Sequence, residues 1–181
     1  ADHVMTNINH LTELLREGKS DAEMDRVFSA QEAETERQVA ALLGPEAYAE
    51  YKEYTSDLAS YLTSEQFKGM MLKGEKEEKD AKAKQMFELM QQETSRTLAA
   101  AGLPEDYQTV PTLNFRNIAS EQVGERNIML LDSIYENVAS RAGTFLTPEE
   151  LEKFGEFRKM AINNNRLALT MNRKMMAPPN K

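Results

Sequence analysis

The chain's imidazoles are His3 and His10, both within its first ten residues. Hydrolysis by a serine or threonine with a histidine base would have to use one of them. A four-helix di-iron centre takes Glu-x-x-His from two helices, and neither histidine follows a glutamate by three residues. Gly-rich phosphate cradles, the zinc motif H-E-x-x-H and EF-hand loops are missing as well. Acid pairs such as Glu77-Glu78 and Glu149-Glu150 read as solvated faces. Met171, Met175 and Met176 could offer soft thioethers to Cu(I), but methionine is equally a flexible core filler. Cysteine is absent, which removes disulfides, thiolate nucleophiles and cysteine-held metals. No catalytic residue, metal site or cofactor is assigned on these grounds.

A charge asymmetry points elsewhere. After Glu156 there is no acid, whereas Arg158, Lys159, Arg166, Arg173, Lys174 and Lys181 are all basic. Cations near a helix C-terminus are ordinary dipole chemistry. The same segment is also richly apolar. Phe154, Phe157, Met160, Leu167 and Met171 follow one helical stripe, interrupted by Asn164, and Ile162, Leu169 and Met176 fall outside it. Apolar side chains therefore surround more of this helix than one buried face requires. The residues expected to meet a partner are Met160, Arg166, Leu169, Met171, Arg173, Lys174, Met175 and Met176. Methionine adapts to varied shapes and the cations steer acidic targets. That partner is an acidic protein or a second copy of the chain, as in a homodimer; an anionic lipid surface is the alternative target.

Helices have to carry these residues. Of the chain's residues 40% are hydrophobic and 29% charged, with 11 Met and no Trp, a globular balance biased toward good helix formers. No window alternates apolar and polar side chains with a period of two, so no strand is predicted. The fold class is all-α: a bundle of about six helices in one domain, 1–181. The net charge of −8 repels phosphate, so no nucleic-acid partner is expected. No apolar run is long enough to span a membrane, and no basic-then-apolar signal segment is present. The chain opens at Ala1, as a mature protein after signal cleavage or a trimmed chain would. Absence of thiols leans toward an oxidising compartment such as the periplasm.

Val4, Ile8, Leu11, Leu14 and Leu15 recur at helical spacing, and Gly18 ends a first helix. Ser20-Asp21-Ala22-Glu23 is a capping box opening a second, whose inner stripe is Met24, Val27, Phe28, Gln31, Val39, Leu42 and Leu43. Gly44 ends that helix, and Pro45 suits the first position of a third, where its missing N–H would be unpaired anyway. Tyr48, Tyr51, Tyr54, Leu58 and Tyr61 mark the third helix. Leu62-Thr63-Ser64-Glu65-Gln66 reads as another capping box, with Thr63 as N-cap and Gln66 at N3. It opens the longest stretch, Ser64 to Ala101, whose middle from Glu75 to Lys84 is almost wholly charged. Glu75–Lys79, Glu78–Lys82 and Asp80–Lys84 are spaced i,i+4 there, about 0.2–0.5 kcal/mol each. With nothing to bury, this middle should project from the bundle or break near Gly69 or Gly74. Gly102-Leu103-Pro104 closes the stretch, and 102–114 forms one long connection. Ile118, Val123, Leu130, Leu131, Ile134 and Val138 give the fifth helix its stripe, and Gly143 caps its end. Thr147 and Pro148 start a sixth that runs to Met176, before Pro178-Pro179.

Two helix starts share the pattern L-x-P-E-x4-[YF]-x-E-[YF]. One is Leu43-Gly44-Pro45-Glu46 with Tyr51, Glu53 and Tyr54; the other is Leu146-Thr147-Pro148-Glu149 with Phe154, Glu156 and Phe157. Either helical hairpins 20–62 and 117–176 are pseudo-repeats, or common N-terminal chemistry has converged.

Leu62-Thr63-Ser64-Glu65-Gln66 also matches the motif L-T-x-x-Q, and Leu146-Thr147-Pro148-Glu149-Glu150 matches it but for a final Glu. On a methionine-rich, cysteine-free helical chain, these two segments resemble the periplasmic LTxxQ (Spy/CpxP-like) helical proteins. The resemblance covers only those segments. It implies a cradle-shaped helical dimer of the bacterial envelope, associated with stress and chaperone-like binding of unfolded proteins. The expected function is thus a non-enzymatic helical interaction protein of the envelope. The alternative is a hydrolase or metal-dependent enzyme whose site assembles from scattered carboxylates.

Overall fold

The computed structural model describes residues 21–176. The expected first helix, the Ser20 cap, both histidines and Pro178-Pro179 lie outside the described residues, as does the Met176 side chain. Six α-helices and no strand occur among the described residues: α1 (Asp21–Leu43), α2 (Pro45–Met71), α3 (Lys76–Ala100), α4 (Phe115–Ala119), α5 (Glu121–Arg141) and α6 (Pro148–Met176). Single 3-10 turns precede α4 (Pro111–Leu113) and follow α5 (Ala142–Thr144). The protein is all-α. α3 packs against α2 and α5, and α6 packs against α5, α2 and α4.

Helix ends follow local chemistry where a residue forbids continuation. Gly44 takes φ 77°, a left-handed conformation open to glycine, and Pro45 begins α2 directly after it. α3 ends in a Schellman turn, in which Leu103 N–H donates to the Leu98 carbonyl at 2.9 Å and Gly102 N–H to that of Ala99 at 3.1 Å. α6 starts with a reciprocal capping box. Thr147 N–H donates to Glu150 Oε2 at 2.8 Å, and Glu150 N–H to Thr147 Oγ1 at 3.3 Å.

Elsewhere the structure corrects the sequence reading. Thr63 caps nothing: α2 runs through it without interruption to Met71. The Ser64 hydroxyl bonds back to the Tyr61 carbonyl at 2.8 Å, as serine does inside helices. The chain breaks at 72–75, around Gly74, one of the two expected break points. The charged stretch after it lies against the bundle, with Ala83 buried and Lys82 reaching Glu78 and Glu150, each at 2.7 Å. Asp80 pairs with Lys68 at 3.1 Å rather than with Lys84. The fifth helix is broken at Ser120 into α4 and α5, and Ser120 accepts the Val123 N–H as a new cap. Gly143 lies in a 3-10 turn and not in a left-handed cap. Leu42 is 85% and Leu43 41% exposed, so the apolar stripe of α1 stops short of its end.

The core collects around four rings. Phe67 of α2 meets Phe154 and Phe157 of α6 at centroid distances of 5.3 and 5.8 Å, and Tyr135 of α5 meets the same pair at 6.2 Å each. All four contacts are close to perpendicular or steeply inclined, the edge-to-face geometry favoured by ring quadrupoles. Ile128, Leu131, Ile134 and Val138 line the inner side of α5, with Val123 and Leu130 only half-buried. On α3, Glu93 is buried and accepts from Arg141, with Arg96 at 3.5 Å. A buried carboxylate without such partners would be strongly destabilising.

Candidate functional site

An apolar concavity lies between α2 and α6. Leu58, Leu62, Gln66 and Met70 recur every four residues along one face of α2 and form its first wall. Phe157, Met160, Ala161, Asn164 and Asn165 of α6 form the second. Leu131 and Tyr135 make the floor, and Gln108, Val110 and Thr112 of the 102–114 connection close one end. The enclosed volume is about 500 Å³. Leu62 and Met70 stand 47% and 57% exposed on its rim.

No lining residue carries a formal charge, on a chain that is 29% charged. The polar groups present are amides and hydroxyls. Burial pushes the Tyr135 hydroxyl above its ordinary pKa, so it stays a neutral phenol, 3.5 Å from the Thr63 hydroxyl. A charged ligand would lose its hydration here without gaining a counter-charge. An uncharged chain of apolar side chains and amides would lose little.

The connection that closes the groove is fixed in place by two polar networks. Lys52 Nζ bridges Glu36 at 2.8 Å and Asp106. The hydrogen bonds to Asp106 and then Glu36 hold Lys52 well above the usual lysine pKa, so the ammonium is committed to this bridge. On the inner side, the Tyr107 hydroxyl donates to Asn127 Oδ1 at 2.7 Å, Asn127 donates to Asn117, and Asn117 donates to the Pro111 carbonyl at 2.8 Å. These residues hold backbone in position. Among the described residues, no group of three His, Cys, Asp or Glu is arranged to hold a metal ion.

The residues singled out on the last helix are divided between its faces. Met160 lines the groove, and Leu167, Met171 and Met175 are exposed beyond it, at 58%, 53% and 73%. Lys174 is exposed. Arg166 is held by Glu125, with Nε 3.1 Å from Oε1. Leu169 is buried at 1% exposure. Arg173 turns inward, donating to the carbonyls of Asn117 at 2.6 Å, Ser120 at 3.1 Å and Ile118 at 3.3 Å, and so closes the C-terminal end of α4. Gly124 makes room for it: a Cβ there would lie 2.3 Å from Arg173 Nη2 and 2.8 Å from the Asn117 carbonyl oxygen. The expected stripe is therefore rotated, and its C-terminal half, Leu167 and Met171, faces out while Ile162 and Leu169 face in.

Sequence patterning hides the opposing wall on α2, because Leu62-Thr63 has the form of a helix boundary. The signal was present. Read as helix interior, Leu58, Leu62, Gln66 and Met70 are one i,i+4 ladder.

Fold and groove together define a class: an all-α protein with an uncharged, half-open groove. Comparison with known proteins adds no narrower assignment, since no family model, curated protein or solved structure matches the chain.

Proposed function

We propose that this chain is a non-enzymatic binding protein that holds apolar polypeptide segments in the α2–α6 groove, in the manner of a chaperone. The observation that carries the reading is the uncharged lining of a groove with exposed Leu62 and Met70 on its rim. A fatty acid or phospholipid would need a cation beside its carboxylate or phosphate, and the groove offers none. A polypeptide segment brings apolar side chains for Leu58, Met70 and Met160, and amides for Gln66 and Asn164. Location in the bacterial envelope is part of the proposal. It rests on the LTxxQ resemblance and on the thiol-free composition.

The test is suppression of aggregation of a chemically unfolded, weakly charged client protein, read by light scattering. Leu62→Glu and Met70→Glu place carboxylates on the exposed rim, where the fold tolerates them. Suppression by the wild-type chain, with at least a tenfold higher dose required for the double variant, is expected. Equal potency of the two chains, or no suppression by either, would overturn the proposal. Turnover in a broad hydrolase screen would favour the enzyme alternative.

A further inference from the structure

Between Ser29 and Ala59 no described residue is buried, although both halves of this hairpin are helical. α1 is tied to α4 through Arg116, which reaches the Ser29 hydroxyl at 2.6 Å and Glu32 at 2.9 Å. It then continues from Glu32 to Leu43, about 16 Å of helix beyond that anchor. At its tip and along α2 it exposes Leu42 (85%), Leu43 (41%), Tyr51 (43%) and Tyr54 (66%). The arm is acidic: Glu32, Glu34, Glu36, Glu46, Glu50 and Glu53 outnumber Arg37 and Lys52 between residues 30 and 54.

A complementary surface lies on α6. Leu167, Met171 and Met175 form an exposed i,i+4 ridge on α6. Lys159 and Lys174 are exposed on that helix, and no acid follows Glu156. Arg158 and Arg166 are already matched by Asp132, Glu136 and Glu125, and Arg173 turns inward, so the steering charge comes from Lys159 and Lys174. α1 packs against α2 and α4 and not extensively against α6.

We infer that the α1–α2 arm of one copy docks on the C-terminal ridge of α6 of a second copy. Arm against arm would set acid against acid, and ridge against ridge would set cation against cation; only arm against ridge joins opposite charges over apolar surface. Two copies can make this contact twice, reciprocally, about a twofold axis. This inference does not depend on the groove.

Charge reversal tests it on the full chain. Variant one carries Glu46→Lys and Glu50→Lys; variant two carries Lys159→Glu and Lys174→Glu, all at exposed positions. Sedimentation velocity should show concentration-dependent dimers of the wild type that weaken as salt is raised. Each variant alone should associate at least tenfold more weakly, and an equimolar mixture should recover dimers, because the substituted arm positions then face the substituted ridge positions and the native arm faces the native ridge. Leu42→Ser should weaken association without changing charge, and circular dichroism verifies that each chain is helical. A wild type that stays monomeric at every concentration, or a mixture no stronger than its components, would overturn the inference.

Discussion

The helix starts at Pro45 and Pro148 share a pattern and end in opposite surroundings. After Pro45, Tyr51 and Tyr54 are 43% and 66% exposed; at the same spacing after Pro148, Phe154 and Phe157 are 0% and 1% exposed. Both prolines occupy the first helical position, where the missing donor costs nothing. The pattern therefore sets where each helix begins, and the neighbouring elements set which side is covered. α6 lies against α2, α4 and α5, whereas the first half of α2 has α1 and the connection beside it. A tyrosine keeps its hydroxyl hydrated on an exposed arm; a phenylalanine has no such anchor and is placed where rings surround it.

The sharpest way to break this comparison is to delete one ring from each start. Phe154→Ala should destabilise the fold by about 3–5 kcal/mol, since a fully buried ring loses its transfer energy and leaves a cavity. Tyr54→Ala should change stability by no more than about 0.5 kcal/mol. Urea midpoints measure both. Similar midpoints would mean that the two starts are equivalent after all and that the aromatic cluster is not the core.

The caps give a second, smaller contrast. Thr147 and Thr63 stand in nearly the same motif, but only Thr147 bonds a first-turn amide. Thr147→Ala should cost about 1 kcal/mol. Thr63→Ala should cost a few tenths at most, because alanine is the better helix former and the lost hydroxyl contact to Tyr135 is a long one, 3.5 Å. Equal losses at the two sites would show that Thr63 acts as a cap in solution.

The same pair explains how much could be read in advance. Leu62-Thr63-Ser64-Glu65-Gln66 and Leu146-Thr147-Pro148-Glu149-Glu150 both satisfy the capping-box rule, yet the rule describes a capacity and not an outcome. Pro148 strongly disfavours helix continuation through Thr147. Nothing at 62–66 forbids it, and burial of Phe67 favours an unbroken α2. Glycine and proline at Gly44, Gly74 and Gly102 likewise made most helix ends legible. Helical period and composition sufficed for the all-α class. The groove was half legible: Met160 was picked out, while its α2 wall was hidden by the false boundary. The rotation of α6 was not legible, because Phe157-Met160-Leu167-Met171 and Phe154-Ile162-Leu169 are both valid helical stripes. The Arg173 clamp, its space left by Gly124, accompanies the second of them.

The smallest effect concerns the carboxylate that completes the second start. Glu150 N–H donates to Thr147, and the Glu150 carboxylate accepts from Thr147 N–H at 2.8 Å and from Lys82 at 2.7 Å. Burial alone would raise its pKa, but these hydrogen bonds outweigh it and hold it below the ordinary value of 4.5. A folded-state pKa below the unfolded one means that the unfolded chain takes up the proton first as pH falls. The contribution of Glu150 is therefore complete above about pH 4.5, and it is lost as pH falls through the lower folded value. Glu150→Gln removes the charge but keeps an acceptor oxygen. At pH 7 the variant should be less stable than wild type by about 1 kcal/mol or less. That gap should narrow as pH drops below about 4.5, since protonation then removes the same charge from the wild type. Urea midpoints of both chains at pH 7, 5, 4 and 3, roughly spanning the titration, supply the measurement. A gap that stays constant down to the lowest pH would show that the carboxylate contributes through shape rather than charge, and the two helix starts would then differ only in what packs on them.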